Sequence, residues 1–328
     1  MNLGILGAGR IAHVMADTIL QLNASGDHSV TLYGIAARDL QRAQEFSKTY
    51  HVAHAYGSYE EMLQSPELDF VYIATPHSHH YQHMKLCIDY GKHVLCEKSF
   101  TVNARQAEDI LRYAKEKQVL VTEAIWTRYQ PMRQIISEVI HSNIIGEPRM
   151  LTANLCYTIM DKERIVRPEL AGGALLDVGI YTLNFAEMIF GHPQCINGIG
   201  IKHETGVDIA DSLTLTWNDG KMAVLTTGAT TISDRMGIIY GTNGYIVVEN
   251  INNPQGIQVF DENRQCIKSI PCPKQLTGYE YEVLEVVNCI QEGRLECPSM
   301  PHCETIHMME VMDHLRAQMG ICYPCEDI

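Results

Sequence analysis

The stretch Leu3-Gly-Ile-Leu-Gly-Ala-Gly-Arg-Ile-Ala12 decides how this chain folds. Leu3–Leu6 has the pattern of a buried strand, and Ile11–Leu20 carries apolar residues at 11, 14, 15 and 19, the spacing of one helix face. Between them lies the loop Gly7-Ala8-Gly9-Arg10-Ile11. A glycine loop joining a strand to a helix is the fingerprint of a dinucleotide-binding βαβ unit. Gly7 permits the tight turn and Gly9 lets the backbone approach a pyrophosphate. Ala12 stands where a small residue allows close helix–strand packing. The helix N-terminus then offers N–H groups and a partial positive charge to the phosphates.

The same alternation continues outward from this stretch. Strand patterns occur at Val30–Ala37, Phe70–Ala74, His93–Cys96 and Val119–Thr122. Helix patterns occur at Asp39–Tyr50, with Asp39 as N-cap, and at His80–Tyr90, stopped by Gly91. Ser58-Tyr-Glu-Glu61 and Asn103-Ala-Arg-Gln106 are capping boxes, and the second opens a helix with Ala107, Ile110, Leu111 and Ala114 on one face. Apolar strands alternating with helices mean a parallel sheet covered on both faces. An α/β Rossmann domain, doubly wound, is therefore expected over residues 1–122.

From residue 123 to 328 the texture changes. A helix over Pro131–His141 leads into strand patterns at Arg149–Tyr157, Ser212–Trp217, Ala223–Thr230, Met236–Tyr240 and Ile246–Glu249. Asn218-Asp-Gly220 and Asn243-Gly244 signal hairpin turns. Helices are expected at Ala174–Phe190, Tyr279–Glu292 and Cys303–Met319. This pattern predicts an α+β domain on a mostly antiparallel sheet. That domain is expected to bind the substrate and to form a homodimer or homotetramer through its sheet.

Composition narrows the function classes. With 25 basic and 39 acidic side chains the net charge is -14, which opposes binding to nucleic acid or to an anionic membrane surface. The mixed run Arg112-Tyr-Ala-Lys-Glu-Lys117 reads as a solvated helix face. The eleven cysteines form no framework, so reduced thiols in a cytoplasmic protein are expected. Cys322-Tyr-Pro-Cys325 has no second pair or histidine cluster, and no role is assigned to it. No basic leader precedes the first strand, and no membrane helix is expected. The apolar stretch Gly173–Gly191 comes nearest but contains Asp177, Asn184 and Glu187.

Three further groups of residues carry chemistry. The second strand ends in Gly34-Ile-Ala-Ala37, without the carboxylate that would bind ribose hydroxyls, and Arg38 and Arg42 follow. Guanidinium groups suit a 2′-phosphate, so NADP is favoured over NAD. In the alternative, Arg38 covers the adenine and Asp39 takes the ribose. Glu97-Lys98 ends an apolar strand at the sheet edge where ligands bind, although a surface ion pair would have the same pattern. Asp177 and Tyr181 share a helix face behind the glycine pair Gly172-Gly173. Alternatively, Tyr181 packs in the core and Asp177 meets the helix dipole. Trp126 and Tyr157 are candidates for apolar pocket walls, or for core. His77, His79, His80 and His83 cluster after a strand, but no acidic third ligand is near in sequence and no metal is expected.

Four stretches together resemble the glucose–fructose oxidoreductase / inositol dehydrogenase (Gfo/Idh/MocA) family. They are Gly7-Ala-Gly-Arg-Ile-Ala12, Ala74-Thr-Pro-His-Ser-His-His80, Gly91-Lys-His-Val-Leu-Cys-Glu-Lys98 and Gly172-Gly-Ala-Leu-Leu-Asp-Val-Gly-Ile-Tyr181. Glu123-Ala-Ile-Trp-Thr-Arg-Tyr129 is similar to the branch of dihydrodiol dehydrogenases and NADP-dependent xylose dehydrogenases. Three positions depart from the family pattern: Ser99 stands where proline is usual, His77 where asparagine is usual, and Tyr181 where histidine is frequent.

The resemblance implies a dehydrogenase that moves hydride between a CH–OH group of a sugar, polyol or trans-dihydrodiol and a nicotinamide. Tyr181 would take the hydroxyl proton, Lys98 would lower its pKa, and Asp177 would orient the substrate or Lys98. It adds Thr75, Pro76, His77, His80, Glu97, Lys98 and Arg128 to the cofactor contacts. A non-catalytic NAD(P)-binding sensor on the same fold is the alternative, though it has no need of Lys98, Asp177 and Tyr181 together.

Overall fold

The computed structural model describes residues 1–326. Along the chain come β1 (Asn2–Leu6), α1 (Arg10–Ala24), β2 (Thr31–Ala36), α2 (Leu40–Tyr50), β3 (His54–Tyr56), α3 (Tyr59–Leu63), β4 (Phe70–Ile73) and α4 (His77–Asp89). Then follow β5 (His93–Glu97), α5 (Ala104–Glu116), β6 (Val121–Ala124), α6 (Pro131–His141), β7 (Pro148–Cys156), α7 (Glu163–Val166) and α8 (Ile180–Phe190). The chain continues through β8 (Cys195–Lys202), β9 (Asp208–Thr216), β10 (Met222–Gly228), β11 (Gly237–Gly241), β12 (Gly244–Val248), β13 (Gly256–Asp261) and β14 (Cys266–Pro271). Two helices close it, α9 (Glu280–Gln291) and α10 (His302–Met319).

Two compact units result. The first comprises Met1–Tyr129 and Gln275–Met309, and the second Gln130–Lys274 and the chain from Glu310 onward. This division differs from a boundary at 122/123. Trp126 stacks on Tyr279 with ring centroids 4.1 Å apart, and α9 packs on β5, so both segments cluster with the first sheet.

In the first unit six strands lie in the order β3-β2-β1-β4-β5-β6, all parallel. This is the doubly wound order, with the topology reversing between β1 and β4. Apolar strands supply the centre: Leu3, Ile5, Leu6, Phe70, Val71, Tyr72, Ile73, Val94 and Leu95 are fully buried. The expected caps form, as Asp39 accepts from Gln41 N at 2.9 Å, Ser58 from Glu61 N and Asn103 from Gln106 N. Helix α4 starts at His77, one turn before the expected His80. Pro76 sits at its cap with φ -63°, so the turn is preset there.

In the second unit eight strands lie in the order β14-β13-β12-β11-β7-β10-β9-β8. All neighbouring pairs are antiparallel except β7 and β10. Asn218-Asp-Gly220 and Asn243-Gly244 turn the β9–β10 and β11–β12 hairpins. One face of the sheet carries α8, and the helix begins early with a π turn at Leu175–Gly179. Pro168–Phe190 is long and apolar enough to cross a membrane by length and composition, but 89% of its apolar window is buried.

Candidate cofactor and active site

The loop after β1 has the geometry its sequence asks for. Gly7 adopts φ +94°, and a side chain there would strike Ala74 O and Thr75 Cγ2, both at 3.0 Å. Its N–H donates to Ala36 O at 2.9 Å, which closes the turn. Gly9 caps α1, and a Cβ there would meet only Ala74 O, at 3.8 Å. The space over Gly9 is therefore open to a ligand. No side chain caps this helix, which leaves the N–H groups of Arg10 and Ile11 for an outside anion, while that of Ala12 donates to Gly9 O. Arg10 is exposed, Ile11 half-buried and Ala12 buried against the sheet. These features fit a dinucleotide pyrophosphate.

The second strand delivers both arginines to this edge. Arg42 Nη2 donates to Ala8 O at 2.9 Å, which sets the guanidinium on the glycine loop. Arg38 is exposed, and its charge acts on Tyr59, His79 and His83. Burial, with Arg38 adding to it, lowers the His79 pKa. His83 is pushed down to about 3 by burial and by its neighbours His79, His80 and Arg38. Its ring meets Tyr59 edge-on at 4.8 Å, and its Nδ1 lies 2.9 Å from Thr75 Oγ1. Neutral aromatic rings thus flank two cations. Asp39 has one carboxylate oxygen committed to Gln41 N, which weakens its claim on a ribose.

The ends of β4 and β5 are tied together by His80. Its Nδ1 lies 2.8 Å from Ser99 O and its Nε2 2.8 Å from Thr75 O. Complete burial pushes its pKa down to about 4, although the carbonyls pull the other way. We take the ring as neutral, so it donates to one carbonyl at a time. His77 opens α4 and is 8% exposed, its ring 5.8 Å from that of His80. Thr75 and Pro76 form the half-buried turn between them and β4.

Beside this turn, β5 ends at Glu97 and Lys98. The Glu97 carboxylate accepts from the Tyr72 hydroxyl and, at 3.2 Å, from Lys98 N. Both oxygens thus serve the protein. Lys98 is half-buried, and the Lys98–Ser99 peptide is cis. Behind Glu97 lie two more buried carboxyls. Glu123 accepts from Phe100 N at 3.1 Å, and burial raises its pKa to about 7 against the pull of Arg128. Glu282 of α9 is fully buried, its two oxygens lack a hydrogen-bond partner among the described residues, and burial with the charge of Glu97 raises its pKa well above the carboxylate range. Arg128 pairs with Glu304 at 2.9 Å inside the first unit, and Trp126 lies flat on Tyr279.

In the second unit Gly172-Gly173 turns the chain into the π turn and α8. Gly172 passes against α7, where a Cβ would strike Ile165 O at 2.4 Å. That approach brings Arg164 to Asp177, whose carboxylate it meets at 2.5 Å. Asp177 is 4% and Tyr181 8% exposed. The π turn spans Asp177, and such turns are concentrated at functional positions. Tyr157 is half-buried at the end of β7, its hydroxyl accepts from Asn252 Nδ2 at 3.0 Å, and the Arg235 guanidinium lies 5.2 Å from its ring centre. The sequence carries no local signal for Arg164, which lies in no motif, and the capping box that contains Tyr59 marks a helix start and not a ring beside the arginines.

Comparison with known proteins gives consistent matches along the chain. The model of an oxidoreductase family with an NAD-binding Rossmann fold matches residues 1–125, and that of the GFO/IDH/MocA C-terminal domain matches residues 134–247. A trans-1,2-dihydrobenzene-1,2-diol dehydrogenase of Danio rerio is 34% identical over 329 residues, with 98% of this chain and 97% of that protein covered. The Homo sapiens protein of the same name is 32% identical, with the same coverage. A 3-ketoreductase from Actinomadura kijaniata, crystallised with NADP and TDP-benzene, superposes with a TM-score of 0.88 at 20% identity, over 97% of this chain and 98% of its own. An aldose-aldose oxidoreductase from Caulobacter crescentus, complexed with glycerol, superposes with a TM-score of 0.85 at 20% identity, over 98% and 97%. At that identity the two structures speak for the fold.

Proposed function

The chain belongs to the GFO/IDH/MocA oxidoreductase family, and from that premise we propose an NADP-dependent dehydrogenase acting on a CH–OH group of a sugar, polyol or trans-dihydrodiol. One observation carries this reading. The ends of β1, β4 and β5 are neighbours in the sheet, so the loop Gly7–Gly9, the turn at Thr75–Pro76 and the pair Glu97–Lys98 share one edge at the topological switch point. The curated relatives named as dihydrodiol dehydrogenases support the substrate class. Arg42 on the glycine loop and Arg38 beside it support NADP, through charge-assisted bonds to a 2′-phosphate.

The nicotinamide, when bound, exchanges hydride with the substrate carbon. The protein's own task is the hydroxyl proton. Tyr181 is the proposed group that takes it, and Lys98 the proposed cation that favours the phenolate and holds the substrate oxygen. Asp177, its carboxylate fixed by Arg164, orients the reacting groups. Tyr181→Phe and Lys98→Met should each lower kcat by roughly 10²-fold or more, the usual scale for acid–base groups. The assay is formation of reduced nicotinamide with NADP or NAD against sugars, inositols and dihydrodiols. Near-normal turnover in either variant would refute the assignment, and silence of the parent protein across the panel would favour a sensor.

A further inference from the structure

The glycine pair Gly172-Gly173 faces a buried carboxylate that the catalytic scheme does not use. Asp208 of β9 is fully buried, and its Oδ2 accepts from Leu175 N at 2.5 Å. Gly173 takes φ +115°, and a Cβ there would lie 2.2 Å from Asp208 Oδ1. Any side chain at 173 would expel the carboxylate. Gly172 is held from the other side, since its carbonyl accepts from the Tyr323 hydroxyl at 2.7 Å.

Asp208 reaches this position through a fault in the strand. Along β9, Leu215, Leu213 and Asp211 form the buried row, and strict alternation would turn Asp208 to the opposite face. The register slips there, because Ile201 pairs with Ala210 but Lys202 with Asp208. Ile209 is thereby bulged out of the ladder and Asp208 joins the row. Bulges of this kind re-aim side chains beside functional sites. Asp208 and Asp211 consequently lie within hydrogen-bonding reach of each other. Asp208 Oδ1 and both Asp211 oxygens are buried and accept from no donor group among the described residues.

From this geometry we infer that Asp208 is a positioning residue, which anchors the first turn of the helix carrying Asp177 and Tyr181, and that Asp211 supplies the proton the two carboxyls share. The inference rests on the proposed roles of Asp177 and Tyr181. Two ionised carboxylates in one buried site repel, so Asp211 retains its proton to about pH 9, chiefly through burial and the charge of Asp208. The charges of the pair act on Tyr323, on which Arg316 and Glu326 act as well. Arg316 is already bound to Asp313 and Glu326, so it does not neutralise the carboxylates. With the proton in place, Asp208 holds the helix start as an anion at the positive end of the dipole. Loss of that proton sets two anions against each other and loosens the turn.

Hydrogen–deuterium exchange of the intact protein over residues 174–181 tests this, with rates corrected for the intrinsic effect of pH. The parent protein should lose protection by roughly tenfold as pH rises through 9. Asp211→Asn keeps an N–H donor at every pH and should hold its protection there. Asp208→Asn should lose roughly tenfold already at pH 7, with its kcat lowered and dinucleotide affinity unchanged. Should Asp208→Asn not fold, the comparison of Asp211→Asn with the parent still decides. Parent-like protection in Asp208→Asn, or an unchanged alkaline loss in Asp211→Asn, overturns the inference. Exchange is read without turnover, so failure of the catalytic reading shows separately, as normal kcat in Tyr181→Phe.

Discussion

Replacing Glu282 with glutamine should make the protein more resistant to alkaline pH. Glu282 is fully buried beside Glu97 and has no hydrogen-bond partner among the described residues. Burial, then the Glu97 charge, raises its pKa well above the usual 4.5, so the folded chain keeps it protonated at neutral pH. The unfolded chain ionises it near 4.5. Folding therefore takes up one proton, and the stability it permits at low pH is lost as pH climbs toward the folded pKa. While the folded group stays protonated, the slope depends only on that one proton. Each pH unit costs about 1.4 kcal/mol, so two units cost about 2.7 kcal/mol. For a unit of this size that is roughly 5–11 °C in Tm. Glu282→Gln fills the same volume, cannot ionise, and removes the slope. The calorimetric Tm of the parent should fall relative to that of the variant by this amount between pH 6 and pH 8, on a slope that begins where the unfolded carboxyl ionises. Parallel curves would refute the reasoning, because they would mean that Glu282 is ionised or solvated in the folded state.

Two other perturbations address the cofactor and the catalytic helix. Arg38→Ala combined with Arg42→Ala should raise the KM for NADP by at least roughly tenfold while leaving that for NAD nearly constant, since each charge-assisted bond to phosphate contributes about 1.5–3 kcal/mol; equal losses for both cofactors would point to a damaged glycine loop, through the Arg42–Ala8 bond. Arg164→Met should lower kcat more than it alters KM, because it releases the Asp177 carboxylate from its 2.5 Å partner, and steady-state kinetics on the intact protein would measure the split.

What the chain discloses before folding depends on whether a signal is local. Strands β1, β4 and β5 are covered on both faces, so each must be apolar throughout and each is visible. Helix α6 is predicted to the residue because Pro131 opens it and its buried positions Met132, Ile136 and Val139 keep helical spacing. The edge strands carry no such pattern. β8 exposes Ile199 and Ile201 to 78% and 63%, and nearly all of β14 is exposed, so neither needs a continuous apolar row. β3 is three residues long and leaves no period to detect. The parallel pairing of β7 with β10 is likewise hidden, since alternation of faces is the same in either direction.

The catalytic signature obeys the same rule. Gly172-Gly173 and the spacing of Asp177 and Tyr181 mark a helix start that matters, but not what the glycines make room for. The reason for Gly172 lies in the backbone at Ile165, and the reason for Gly173 lies in a carboxylate on β9 that strict alternation would have faced the other way. A glycine pair reports that something approaches, and only the partner says what. Here the partners differ in kind: a carbonyl that carries Arg164 toward Asp177, and an anion that shares a proton with Asp211. The same two glycines thus fix the position of the helix and couple it to a titrating group. Stability of the turn and the chemistry proposed for Tyr181 are consequently linked through one shared proton.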